Sequence, residues 1–202
     1  MMQMFQSRMV GVFAVALTVL LTGCAGTVKN MRESTEGSTA TTLQKDKAMV
    51  VFMRPSGLGF AVQSSAFALK NEQPQLVGVV AAKTKVAYHV DPGKHTFMVL
   101  GESAEFMTAD LLPNKTYYAY VSPRMGMWKA RFVLEPKRKA DLESAEFKSD
   151  LADCRWVEVS PESNQWMTEN LSSIQSKKAE YYPDWLKKPD AEKEGLRPED
   201  GR

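Results

Sequence analysis

Apolar residues in this chain fall into short runs whose period changes along its length. Residues 9–21 (MVGVFAVALTVLL) form one unbroken apolar stretch, shorter than the roughly 20 residues a membrane-spanning helix needs. Residues 25–46 are rich in Ser, Thr, Gly and charge and show no apolar period, the composition of a flexible tether. From Ala48 onward the pattern is that of strands. Ala48–Arg54 (AMVVFMR) is a compact apolar run halted by Pro55 and Gly57. Phe60–Leu69 and Gln75–Ala82 follow. Val86, Tyr88 and Val90 then alternate with Ala87, His89 and Asp91, the period-two signature of a strand with one buried face. His95–Leu100, Glu105–Leu112, Thr116–Ser122 and Trp128–Leu134 continue the series, each bounded by turn residues such as Pro92-Gly93 and Pro113-Asn114. Seven or eight short strands at this spacing predict a mostly β protein, a small antiparallel β-sandwich or barrel. Without β–α–β spacing, a parallel α/β fold is not expected.

The last third changes character. Residues 137–151 are charged and partly helical in pattern, and Arg155–Val159 (RWVEV) reads as one more strand. Ser160-Pro161-Glu162 has the marks of a helix start: a capping hydroxyl, a proline in the first turn and an acid at the positive end of the helix dipole. Met167, Leu171 and Ile174, with Trp166 beside them, form the face expected to dock on the sheet. Pro183 is expected to end this helix, and residues 187–202 read as a loose charged tail.

Arg8 ahead of the apolar run makes residues 1–23 a targeting segment rather than a span. It ends in Leu21-Thr22-Gly23-Cys24 instead of a small-residue cleavage site. This resembles the bacterial lipobox, Leu-small-small-Cys. The resemblance implies diacylation of the Cys24 thiol, cleavage before Cys24 and acylation of its new amino group. A thiol is needed because sulfur is the nucleophile that accepts the diacylglycerol. Ala25 stands where an Asp would favour retention at the inner membrane, so the resemblance implies a lipid anchor in the outer membrane, facing the periplasm. The expected plan is therefore a signal peptide over 1–23, a lipidated cysteine and flexible tether over 24–46, a β domain over 47–136, a helical extension with a short strand over 137–186 and a tail over 187–202. At 22 residues the tether would reach on the order of 25 Å.

Five further elements occur in order: V-x-x-R-P (Val51–Pro55), D-P-G-K-H (Asp91–His95), N-K-x-Y-Y (Asn114–Tyr118), W-K-A-R-F (Trp128–Phe132) and L-x-P-E-D-G (Leu196–Gly201). Together with the lipobox they resemble a group of bacterial outer-membrane lipoproteins that carry a β-rich domain of unknown function, followed by a helix and a tail. The resemblance implies an architecture and an address, and it brings no catalytic residues with it.

Charge changes the picture little. The chain has 26 basic and 24 acidic residues. Removing residues 1–24 takes away only Arg8, leaving 26 − 1 = 25 against 24. That balance offers no electrostatic footprint for nucleic acid. His89 and His95 would point to opposite faces if Asp91 pairs with Lys94 in a hairpin, and no acidic or Cys cluster with zinc spacing surrounds them, so no metal and no cofactor is expected. Cys154 has no neighbouring base motif and is read as half-buried beside Trp156. No nucleophile elbow or phosphate loop is present. The expected function is that of a non-catalytic interaction or envelope-support module with an envelope protein partner. A second reading is a binding protein for a small apolar ligand or lipid, held between the sheet and the helix. The candidate recognition surface is aromatic and sulfur-rich: Tyr117 and Tyr118 on one strand, and Met125, Met127 and Trp128 around one turn.

Overall fold

The computed structural model describes residues 28–125 and 130–202. Two mixed sheets pack face to face and do not close into a barrel, giving a mostly β sandwich with a long C-terminal helix. The strands are β1 (Met31–Glu33), β2 (Ala48–Arg54), β3 (Ser64–Lys70), β4 (Gln73–Val80), β5 (Thr84–Val90), β6 (Gly93–Leu100), β7 (Ala104–Leu111), β8 (Lys115–Met125), β9 (Ala130–Pro136), β10 (Arg155–Val159) and β11 (Gly195–Leu196). Sheet one has the order β1-β10-β5-β2-β8-β9, and sheet two the order β11-β7-β6-β3-β4. Among the described residues two α-helices, α1 (Ala145–Asp153) and α2 (Pro161–Lys187), cover the outer faces.

The layers explain the hydrophobic pattern. Val50, Phe52, Phe97, Val99, Met107 and Phe132 fill the space between the sheets. Met49, Val51 and Met53 point the other way, onto Leu142 and Phe147 beside and within α1. β2 is therefore buried on both faces, which is why it reads as a continuous apolar run rather than an alternating one. On the outer face of sheet two, Phe67, Met98 and Phe106 pack under Ile174 and Trp185 of α2. Each helix begins at a serine cap. The Phe147 N–H donates to the Ser144 hydroxyl, and Ser160 with Ser163 forms a capping box.

Several expectations are overturned. The Pro92-Gly93 turn is not a hairpin. β5 pairs with β2 and β10, whereas β6 pairs with β3 and β7, so the chain crosses from one sheet to the other there. Pro92 has no N–H to give a ladder, and Gly93 sits at φ +118. With alternate hairpins diverted into sheet two, β8 returns beside β2 in a parallel sense. The β5–β10 and β7–β11 pairs are parallel as well, so the sandwich is not purely antiparallel. Pro183 does not end α2, which runs on to Lys187. Tyr182 and Trp185, on either side of it, stack on each other and on Phe106, and that packing outweighs the lost backbone bond. Leu171 lies on the exposed side of α2.

Both chain ends also differ from the expected plan. Residues 28–46 are docked on the sandwich: β1 pairs with β10, Val28 is buried, and the Met31 sulfur accepts from the Val79 N–H at 3.3 Å. The tail is a structural clasp. Leu196 enters the core, and Arg202 and Thr116 exchange both backbone hydrogen bonds. Residues 1–23, Cys24 with the rest of its box, and residues 25–27 lie outside the described residues.

Candidate functional site

Among the described residues, several from the N-K-x-Y-Y and L-x-P-E-D-G elements meet where the tail packs on β8. Asn114 adopts φ +57, and its side-chain oxygen accepts from the Asp46 N–H at 2.8 Å. The Lys115 ammonium donates to the Gly201 carbonyl at 3.2 Å. Asp200, 2 % exposed, accepts from Arg138 and from the Arg197 N–H, both at 2.8 Å. A Cβ on Gly201 would lie 2.6 Å from the Tyr117 ring, so the close approach of tail to strand requires glycine. The motif L-x-P-E-D-G is thus legible as a clasp once its partners are known.

Two of the candidate recognition residues are therefore corrected. Tyr117 and Tyr118 are buried, not presented to solvent. The Tyr117 hydroxyl accepts from the Leu112 N–H at 2.8 Å and donates to the Pro198 carbonyl at 3.3 Å. Arg202 donates to the Tyr118 hydroxyl at 2.5 Å and lies over its ring. Burial raises both phenols, and in Tyr118 the Arg202 charge opposes the rise. Met127 and Trp128 lie outside the described residues, and Met125 is placed only through its backbone pairing with Ala130 at the end of the β8–β9 hairpin.

The remaining chemistry is dispersed. His89 Nε2 contacts the Thr42 carbonyl and His95 Nε2 the Asp91 carbonyl, each at 2.8 Å. They belong to different sheets, so they do not form a pair. Among the described residues, no three His, Cys, Asp or Glu side chains cluster to hold a metal. Cys154 is 3 % exposed, more deeply buried than expected. Burial pushes its thiol up to about 12, with Lys85 and Lys83 opposing, so it carries no thiolate at neutral pH.

Two surface features stand out. The first is a shallow groove of about 540 Å³ beside the end of α2, lined by Lys94, Thr96, Asp110, Tyr182, Asp190 and Lys193. Its charges are mixed in sign, and Asp190 is already paired with Lys193 at 2.9 Å. The second lies at the start of α2, where a cleft of about 310 Å³ opens between Trp166, Ile174, Leu100 and Val62. Beside it runs the loop of residues 55–63; Phe60–Gln63, expected as the start of a strand over Phe60–Leu69, belongs to this loop, and β3 begins only at Ser64. Phe60 is 77 % exposed, Leu58 58 % and Val62 43 %. The loop is braced from beneath by Arg54, which is fully buried. Its guanidinium donates to the carbonyls of Leu58, Gly59 and Val62 at 2.6, 2.9 and 2.6 Å and lies 4.9 Å from the Phe132 ring centroid. No carboxylate contributes to this set of bonds. Arg54 of V-x-x-R-P, with Phe132 of W-K-A-R-F against it, thus supports the loop.

Compared with known proteins, the chain matches no family model and no curated protein. The site must be judged on its chemistry alone. An exposed apolar loop, braced by Arg54 beside a cleft, can dock on an apolar surface. The cleft beside it is lined by polar side chains as well, Ser65, Glu102, Asn170, Ser173 and Lys177 among them.

Proposed function

We propose that this protein is a lipid-anchored, non-catalytic module of the bacterial cell envelope, held at the outer membrane and facing the periplasm. One observation carries the reading: the Leu21–Cys24 box follows a short apolar run and stands only four residues ahead of Val28, where the fold is already packed. Three acyl chains on Cys24 would exceed the marginal hold of a single chain by far. The buried thiol of Cys154, the separated histidines and the Asp190–Lys193 pair in the groove support an interaction or envelope-support role rather than catalysis. Cys24→Ala in the native host tests the anchor. The variant should remain an uncleaved precursor and take up no labelled palmitate. Palmitate incorporation by the variant would sink the reading.

A second reading has one observation in its favour. The cleft lined by Val62, Leu100, Trp166 and Ile174 is at the small end of the size range for ligand sites, and a short apolar ligand would fit it. Trp166 fluorescence that changes on titration with a short-chain fatty acid, and no longer changes in Trp166→Phe, would favour this binding role.

A further inference from the structure

We propose that the loop of residues 55–63 is a membrane-contact element, and that Leu58, Phe60 and Val62 enter the phospholipid leaflet that holds the Cys24 anchor. The inference rests on the lipid-anchor reading for the position of the bilayer and on the structure for the rest. Three residues, Ala25–Thr27, lie between Cys24 and Val28, a span of at most about 14 Å even when fully extended. Val28 is buried, and the residues after it are fixed at the same end of the sandwich as the loop. The Asn30 carbonyl accepts from the Ser163 hydroxyl in the first turn of α2. One turn further on, Trp166 lines the cleft that Val62 also lines. The Met31 sulfur accepts from the Val79 N–H, and Val79 is the cross-strand partner of Ser65, three residues beyond Val62. The anchored start of the chain and the apolar loop therefore share one end of the molecule, and no long tether holds that end off the bilayer.

The loop itself is suited to such a surface. Its most exposed side chain, Phe60, is more accessible than any other large apolar residue among those described. The three bonds from Arg54 hold the backbone of Leu58, Gly59 and Val62, on either side of Phe60, so the apolar side chains are presented from a braced loop. Preorganised apolar groups lose little conformational freedom on entering lipid. In water the same arrangement leaves three large apolar side chains hydrated, which is unfavourable unless a partner covers them.

The test places an environment-sensitive fluorophore on Phe60→Cys or on Leu186→Cys in the full-length lipidated protein. Leu186 is 51 % exposed on the last turn of α2, away from the anchored end. Each labelled protein is reconstituted in vesicles of phosphatidylethanolamine and phosphatidylglycerol with brominated acyl chains. The expected result is strong bromine quenching at position 60 with iodide access about tenfold lower than at position 186, and the opposite pattern at position 186. Equal iodide access at the two positions, with labelled palmitate on Cys24, would overturn the proposal while leaving the anchor intact. Shielding at position 60 without bromine quenching would assign the loop to a protein or a second copy and also overturn it. If palmitate is absent, the anchor reading fails, and flotation of the unacylated chain with the same vesicles decides. Flotation lost in L58S/F60S/V62S supports the loop, and absence of flotation in the parent chain overturns it.

Discussion

Arg54→Met is the sharpest test of how the apolar loop is held. Methionine keeps most of the apolar stem and removes the guanidinium with its three bonds to Leu58, Gly59 and Val62. Hydrogen bonds from a charged donor contribute about 1.5–3 kcal/mol each, so the gross loss is about 5–9 kcal/mol. The interaction with the Phe132 ring at 4.9 Å adds about 0.5–2 kcal/mol. Against this stands the cost of dehydrating a fully buried cation that has no carboxylate partner, several kcal/mol. That cost is visible in the burial-driven lowering of the Arg54 pKa. The released carbonyls lie in a surface loop and can turn to water, which trims the loss further. A net destabilisation of about 2–4 kcal/mol follows. For a protein of this size that corresponds to a fall in Tm of about 5–15 °C. Calorimetry reads the global effect, and limited proteolysis reads the loop, which should become the first site of cleavage within residues 55–63. Arg54→Lys should behave similarly, since one ammonium cannot reproduce the planar fork. A variant that melts at or above the parent temperature with an equally resistant loop would refute the reasoning. Dehydration of the guanidinium would then outweigh its bonds.

The C-terminal clasp predicts that Gly201→Ala destabilises by about 1–3 kcal/mol, because the new Cβ would meet the Tyr117 ring at 2.6 Å and the Lys115 Cβ at 2.9 Å. Hydrogen exchange at the Thr116 amide, which donates to the Arg202 carbonyl, should accelerate, and unchanged protection there would rule out the clasp. Stability should also fall in alkali. Burial raises the Cys154 thiol from 9.0 to about 12, so its contribution is complete below about pH 9 and is lost as the pH climbs toward about 12. Tyr117 and Tyr118, raised mainly by burial, act in the same sense above about pH 10. The urea midpoint should drop between about pH 8 and about pH 10.5, less steeply in Cys154→Ala, and an identical slope in the two proteins would count against the thiol. At about pH 8 native Cys154 should resist iodoacetamide until the protein unfolds, and rapid alkylation would mean that the α1 side of sheet one opens.

Much of the architecture was legible in the chain because local rules govern it. Period-two alternation marked Val86, Tyr88 and Val90. The compact apolar run AMVVFMR marked a strand, which the structure buries on both faces. Ser160-Pro161 announced α2 through groups that lie within one turn of each other. What could not be read depends on residues far apart in sequence. Nothing in Pro92-Gly93 says which sheet receives the next strand; that choice rests on the two-layer packing of Phe52 against Phe97. Pro183 stays inside a helix because Tyr182 and Trp185 find Phe106 across the chain. The polar residues 28–46 and the charged residues 187–202 have little apolar pattern, and composition alone makes them appear free. They are bound through single anchors such as Val28, Leu196 and Gly201, each of which counts only when its partner surface exists. The same holds for the site. An arginine after an apolar strand and a phenylalanine in a glycine-rich turn are unremarkable as letters. Only the tertiary structure buries the one beneath the other and leaves Phe60 in water.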